Sequence, residues 1–88
     1  MISGPVLLAW TVPSVRENGD ELVVEEIGGY EIRYKSDKDT DFTSVKIDDG
    51  YVNSYYFNHL EGHLQFEIAA YDTSGLYSRF VEITPQPD

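Results

Sequence analysis

Gly28-Gly29-Tyr30-Glu31-Ile32-Arg33-Tyr34-Lys35 is the stretch that decides the fold. After the two glycines, large apolar and charged side chains alternate strictly, which is the period-two pattern of a β-strand with one buried face. The inner face carries Tyr30, Ile32 and Tyr34, and the outer face carries Glu31, Arg33 and Lys35. We expect this segment to be the central strand of a two-sheet sandwich, between strands at residues 42–47 and 64–71.

Size and composition indicate one folded domain over residues 1–88, with its core over about residues 5–84. With 88 residues the chain is too short to bury two separate cores. Its 41% hydrophobic and 14% aromatic residues, against 25% charged, supply enough apolar surface to offset the entropy of ordering.

The charge balance and the cysteine count exclude several kinds of partner and scaffold. A net charge of -10 repels phosphate backbones, so we expect no nucleic-acid partner. No apolar run approaches the roughly 20 residues that span a bilayer, so we expect no direct membrane insertion. Because there is no cysteine, packing alone must hold the fold.

Further β-patterns surround the central strand. Val6–Val12 places Val6, Leu8 and Trp10 on one face, and Pro5 is expected at the strand entrance because it cannot donate a ladder hydrogen bond. Other strand-like segments are 42–47, 55–60, 64–71 and 79–84. The expected core residues are Trp10, Tyr30, Ile32, Phe57, Leu60, Leu64, Phe66 and Ile68.

The acidic connection Ser14–Ile27 is the least regular part of the chain. It contains the turn dipeptide Asn18-Gly19 and then apolar residues that we expect to cover one end of the core. We expect strand-like or irregular structure here. A helix over Glu21–Ile27 is the alternative, which is less favoured because valines are poor helix formers.

Five short motifs follow one another along these segments. They are Leu8-x-Trp10-x-x-Pro13, Asn18-Gly19 with Leu22, Gly29-Tyr30-x-Ile32-x-Tyr34, Leu60-x-Gly62, and Phe66-x-Ile68-x-Ala70-Tyr71-Asp72-x-x-Gly75-x-x-Ser78. Together they resemble a fibronectin type III domain, and the long connection before Gly28 is most similar to bacterial members. The resemblance implies an immunoglobulin-like, two-sheet antiparallel sandwich, and a module of secreted, cell-surface or cell-envelope proteins.

Two positions depart from the family pattern. The corner tyrosine of the family falls at Leu64, which has no hydroxyl to bond the preceding turn. The first strand of the family is short or missing here, since only Met1–Gly4 precede the Trp10 strand. If the first strand of the family is missing, the Trp10 strand has an exposed edge that is free to pair with another chain.

Candidate ligand sites in the sequence are weak. Asp37, Asp39 and Asp41 have the alternating spacing of a calcium loop, but Phe42 stands where the loop needs glycine. His59 and His63 have a metal-binding spacing only on a helix, which the pattern does not predict. We expect neither a metal nor a cofactor.

Catalysis is not expected either. Adjacent carboxylates such as Glu25-Glu26 lack the two different environments that acid–base chemistry requires. No nucleophile elbow and no phosphate-binding glycine loop is present in the sequence.

We therefore expect the function of this chain to depend on binding by side chains at its surface. Aromatic side chains there can anchor a protein or stack on sugars, and positive charge gathers in few places on this acidic chain. The candidate interaction residues are Arg33, Lys35, Tyr51, Tyr56 and Tyr77. We expect a spacer or protein-interaction module that contacts another protein or neighbouring domains, with a carbohydrate-binding accessory module and a structural domain of a phage tail as alternatives.

Overall fold

The computed structural model describes residues 1–12 and 24–86, and within them the fold is built from six β-strands. A single turn of 3-10 helix, Val24–Glu26, precedes the second strand. The strands are β1 (Ile2–Ala9), β2 (Ile27–Ser36), β3 (Thr43–Ile47), β4 (Ser54–Gly62), β5 (Leu64–Asp72) and β6 (Val81–Ile83).

The strands form two antiparallel sheets that make an all-β sandwich. One sheet has two strands in the order β1-β4, and the other has four in the order β3-β2-β5-β6. The prediction that β2 lies between the strand at 42–47 and the strand at 64–71 is confirmed. The all-β, two-sheet class predicted from the alternation is likewise confirmed.

Gly29 shows why the deciding stretch begins with glycines. The pairing of β2 with β5 shifts register between Ile27 and Gly29, so Gly28 is an extra residue at a bulge. A Cβ atom at position 29 would collide with the carbonyl oxygen of Ile47 and with the hydroxyl of Tyr71. Glycine is therefore required here for the close approach of two neighbouring strands.

The core lies between the sheets, on the faces that the alternation predicts. Tyr30 and Ile32 are fully buried, and the Trp10 and Tyr30 rings meet across the sandwich with centroids 5.2 Å apart. The buried apolar cluster consists of Val6, Leu8, Ile27, Tyr30, Ile32, Phe66 and Ile68. The other four expected core residues are half-buried against it: Trp10, Phe57, Leu60 and Leu64.

Tyr30 is held by its hydroxyl as well as by packing. The hydroxyl donates to the carbonyl oxygen of Gly50 at 3.0 Å. Burial raises the pKa of Tyr30, the Trp10 indole opposes that rise, and the charge of Asp49 adds to it. Trp10 Nε1 is buried without a hydrogen-bond partner among the described residues, so its effect on Tyr30 is that of a nearby dipole rather than of an aligned hydrogen bond.

β1, the strand that leads to Trp10, differs from the sequence expectation. β1 starts at Ile2, so Pro5 lies inside the strand rather than at its entrance. Pairing with β4 shifts between Gly4 and Val6, and the missing amide of Pro5 falls at this irregularity, where it interrupts the ladder least. Residues 2–4 extend the ladder with β4, and within the described parts of the chain no strand precedes β1.

Several boundaries also differ. β4 continues to Gly62 because Ile2 pairs with it, whereas the sequence places a turn at Glu61-Gly62. β6 is three residues long instead of six. The helical turn Val24–Glu26 is closer to the alternative, a helix over Glu21–Ile27, than to strand-like structure. The expectation for the rest of the connection, residues 14–23, falls outside the described residues.

Candidate functional site

The outer face of the four-stranded sheet is organised by Arg33. Arg33 on β2 lies directly opposite Glu67 on β5, and both side chains point outward because Ile32 and Phe66 point into the core. The guanidinium donates from Nε to Glu67 Oε1 at 2.7 Å, and Nη2 lies 2.6 Å from the same oxygen. Arg33 is therefore neutralised within the domain.

Aromatic rings hold the guanidinium of Arg33. Its Cζ atom lies 3.9 Å from the ring centroid of Phe80 and 4.4 Å from that of Phe42. Both rings are half-buried, and Lys35 Nζ also lies 4.7 Å from the Phe42 centroid. Because cations are attracted to ring faces, these contacts attach the segments before β3 and before β6 to the central strand.

Tyr77 continues this arrangement toward one end of the sheet. Its ring stacks on Phe80 at 6.5 Å and packs against Tyr71 at 5.2 Å, and its hydroxyl donates to Glu31 Oε1 at 2.8 Å. That hydrogen bond to a carboxylate, followed by burial, raises the pKa of Tyr77. Although 40% exposed, Tyr77 is thus already engaged by its ring and by its hydroxyl.

Tyr71 joins the same end of the sheet to β3. Its hydroxyl donates to the Ile47 carbonyl oxygen at 3.2 Å and to a carboxylate oxygen of Asp48, and Lys46 Nζ lies 4.8 Å from its ring centroid. Burial, and then the hydrogen bond to Asp48, raise the pKa of Tyr71 to about 12. The neutral phenol is therefore the form that fits this position.

The two-stranded sheet presents a different outer face. Leu7 on β1 pairs with Tyr56 on β4, and both point outward, with 41% and 58% of their surfaces exposed. The neighbouring outward pair is Ala9 and Ser54. No charged side chain belongs to these two pairs, which we call the Leu7–Tyr56 face.

The structure divides the candidate tyrosines between different places. Tyr56 lies outside the two-stranded sheet and Tyr77 outside the four-stranded sheet, so they occupy opposite sides of the sandwich. Tyr51 lies in the connection between β3 and β4, 65% exposed, with its amide bonded to Asp49 Oδ1 at 2.9 Å. Tyr56 and Tyr77 therefore cannot contact one ligand together.

The acidic hairpin between β2 and β3 uses a carboxylate to close its own turn. Asp39 Oδ2 accepts a hydrogen bond from the Ser36 amide at 2.9 Å, and the Asp39 amide donates to the Ser36 carbonyl at 3.1 Å. In residues 1–12 and 24–86, no group of three or more acidic, histidine or cysteine side chains gathers in a way that could hold a metal.

The two histidines lie in different surroundings. His59, on β4, contacts Glu61 at 3.0 Å on the surface. His63 separates β4 from β5, where the chain passes from one sheet to the other, and it lines an open depression with Asp37, Leu64 and Gln65. The depression brings together one imidazole and one carboxylate.

Sequence reasoning missed the partners of Arg33. Glu67 alternates outward on β5 in the sequence pattern, but its position opposite Arg33 depends on the register between two strands more than 30 residues apart. Phe42 and Phe80 lie just outside regular strands, where period-two alternation no longer assigns a face.

Comparison with protein-family models, with curated proteins and with solved structures gives no significant match. Among the described residues, no helix is long and apolar enough to cross a membrane.

Proposed function

We propose that this chain is a non-catalytic sandwich module of the fibronectin type III kind, which acts as a spacer or protein-interaction unit in a larger secreted, cell-surface or cell-envelope bacterial protein. Two observations support the proposal: the antiparallel two-sheet order, and the motif series, which includes the Trp10 and Tyr30 pair that meets across the core. The module would bind another protein or a neighbouring domain, and needs neither a metal nor a cofactor.

The observation that carries the interaction role is the Leu7–Tyr56 face. Exposed tyrosine is a common anchor of protein interfaces, and the exposed leucine beside it adds apolar area. The face is uncharged on a domain with a net charge of -10, so a partner can cover it without desolvating a carboxylate there. By contrast, Arg33 and Tyr77 on the opposite sheet already have partners within the domain.

Site-specific photo-crosslinking tests this role. We would place p-benzoylphenylalanine at Tyr56 in the full-length parent protein, expressed in its own cells, and use Ser44, exposed on the far sheet, as the matched control position. We expect one defined protein or neighbouring domain to crosslink at position 56 and not at position 44, and Leu7→Lys to abolish that product. Equal products at both positions, or none at position 56, would refute the interaction role.

Carbohydrate binding is a second candidate, favoured by the 65% exposure of Tyr51. Stacking on sugar rings needs an open aromatic face, which Tyr51 and Tyr56 offer. Retention on immobilised polysaccharides that is lost in Tyr51→Ala or Tyr56→Ala would support this role, and absence of retention in the unaltered chain would exclude it.

A further inference from the structure

Within the described residues, β1 has a hydrogen-bonded neighbouring strand on one side only. Its partner is β4, and in the described parts of the chain no second strand pairs with it. Backbone groups alternate sides along a strand, and the Trp10 amide donates to Asn53 on the β4 side at 2.8 Å. Val6 and Leu8 therefore direct their backbone groups to β4, while Leu7 and Ala9 direct theirs to the open side.

The chain's own C-terminal segment already touches this open edge. The amide of Gln86 donates to the carbonyl oxygen of Leu7 at 2.8 Å. The segment follows β6, which belongs to the other sheet, so it crosses from one sheet to the edge of the other. In the sequence Gln86 stands between Pro85 and Pro87, and neither proline has an amide hydrogen to donate.

The open edge has little of the protection that sheet edges usually carry. Protective devices are charged side chains, prolines and bulges, and β1 has no charged side chain. Its one proline, Pro5, lies with the irregularity of pairing near the start of the strand, away from Leu7 and Ala9. The segment from Val6 to Ala9 is thus a regular pairing edge, contacted in the described residues by the single bond from Gln86.

We propose that the open edge of β1 binds an extended segment of a partner protein by β-strand addition, and that Gln86 occupies the Leu7 carbonyl until this segment displaces it. The inference rests on the proposed interaction role and specifies how the partner is held. An added strand uses the donor and the acceptor of both Leu7 and Ala9, whereas the described part of the C-terminal segment uses one acceptor.

The chemistry of the edge defines the segment that fits it. Strand addition takes its affinity from backbone hydrogen bonds, so the segment must be extended and free of proline at the positions that face β1. Alternate apolar side chains on one side would lie beside Leu7, whose other neighbour on that face is Tyr56. Because the domain carries a net charge of -10, the segment is uncharged or basic.

Binding of a defined probe peptide tests the proposal. The probe is acetyl-Lys-Thr-Val-Thr-Val-Thr-Lys-amide, titrated into the ¹⁵N-labelled chain and followed by amide chemical shifts and hydrogen exchange. We expect shifts and slower exchange at Leu7 and Ala9. Gln86→Pro, which removes the competing amide, should bind about fivefold more tightly than Gln86→Ala, which keeps it.

A second probe separates backbone pairing from charge attraction. It has the same sequence and charge but carries N-methyl groups at the alternate residues that face β1. These groups remove the donors to Leu7 and Ala9 and hold the probe away from the edge, so we expect no protection at either amide. The proposal is overturned by absence of binding, by equal protection from both probes, or by equal affinity of the two Gln86 variants.

Two further outcomes are equally decisive. Protection of Leu7 and Ala9 that grows with protein concentration in the absence of probe would assign the edge to a second copy of the chain and overturn the partner proposal. If position 56 still crosslinks to a partner while the probe leaves these amides unchanged, the edge mechanism is wrong and the interaction role stands.

Discussion

Arg33 and Glu67 face each other across β2 and β5, and the shorter of their two contacts joins Arg33 Nη2 to Glu67 Oε1 at 2.6 Å. From sequence, Arg33 is a candidate to attract an acidic partner. The pairing and the two flanking rings give it a role within the domain instead, as the residue that joins β2 to β5 and to the aromatic segments beside them.

Replacing Arg33 by alanine should lower the free energy of unfolding by about 1–2 kcal/mol. The partly exposed ion pair contributes little, and each ring contact adds a further fraction of a kcal/mol. Urea denaturation measures the change, with Lys38→Ala as a control that removes the same charge from the exposed hairpin. Equal effects of the two substitutions would contradict the structural role of Arg33.

Leu8 and Leu7 offer a matched test of the sandwich itself. Leu8 is fully buried and Leu7 is 41% exposed, although they are the same residue type and adjacent in β1. Leu8→Ala should cost about 3 kcal/mol through the cavity it leaves, and Leu7→Ala less than about 1 kcal/mol. If denaturation gave the reverse order, the assignment of faces on β1 would be wrong.

Gly29→Ala should destabilise the domain by about 3 kcal/mol, because the new methyl group collides with the backbone of β3 and cannot be relieved by a side-chain movement. Gly4→Ala is the comparison. Gly4 has a φ of 129°, but a Cβ atom there would meet nothing within 4 Å, so its cost is conformational only, about 1 kcal/mol. Thermal unfolding of both variants would show whether close approach or backbone conformation dominates at position 29.

Tyr71 should make the domain sensitive to alkali. Its folded-state pKa of about 12 lies above the ordinary tyrosine value of 10.0, so the folded state keeps its proton where the unfolded state loses it. Stability from this group is complete below pH 10 and is lost as pH rises toward 12. Tyr71→Phe should remove this part of the alkaline decline, measured by urea denaturation across that range.

Tyr51→Phe serves as the control for Tyr71→Phe. It removes the same hydroxyl group from an exposed side chain and leaves the core unchanged. Tyr77 remains in both variants, and its pKa is also raised. Only the difference between the stability curves of the two variants therefore reports on Tyr71. Curves for Tyr71→Phe and the unaltered chain that stay parallel above pH 10 would contradict the raised pKa of Tyr71.

Sequence predicts the fold where side chains alternate over a long strand. Tyr30 and Ile32 are assigned correctly, because one face of β2 must be buried and a period of two fixes which residues share it. The same reasoning places Phe66 and Ile68 on β5 inside the sandwich. It also places Trp10 and Tyr30 in the core, where Trp10, directly after the end of β1, meets the ring of Tyr30 on β2.

What sequence could not supply depends on register and on residues outside strands. Pro5 indicates a strand entrance by its missing amide, but an irregularity in the facing strand accommodates it equally well. The contact of Gln86 with Leu7 joins the two ends of the described chain, and no local pattern encodes it. On the surface, Tyr56 is exposed because it lies on the outer face of the two-stranded sheet, whereas Tyr77 lies on the outer face of the four-stranded sheet, where Glu31 and Phe80 contact it.

The pairing of β1 with β4 also sets the order in which this chain can fold. Leu8 and Tyr55, which pair across these strands, are about 50 residues apart, so a ribosome adding 5–20 residues per second completes the second strand about 2–10 s after the first. Until then β1 lacks the strand with which it pairs. Folding should therefore be limited by long-range closure rather than by hairpin formation, and the nascent N-terminal segment is the part that most needs protection from aggregation.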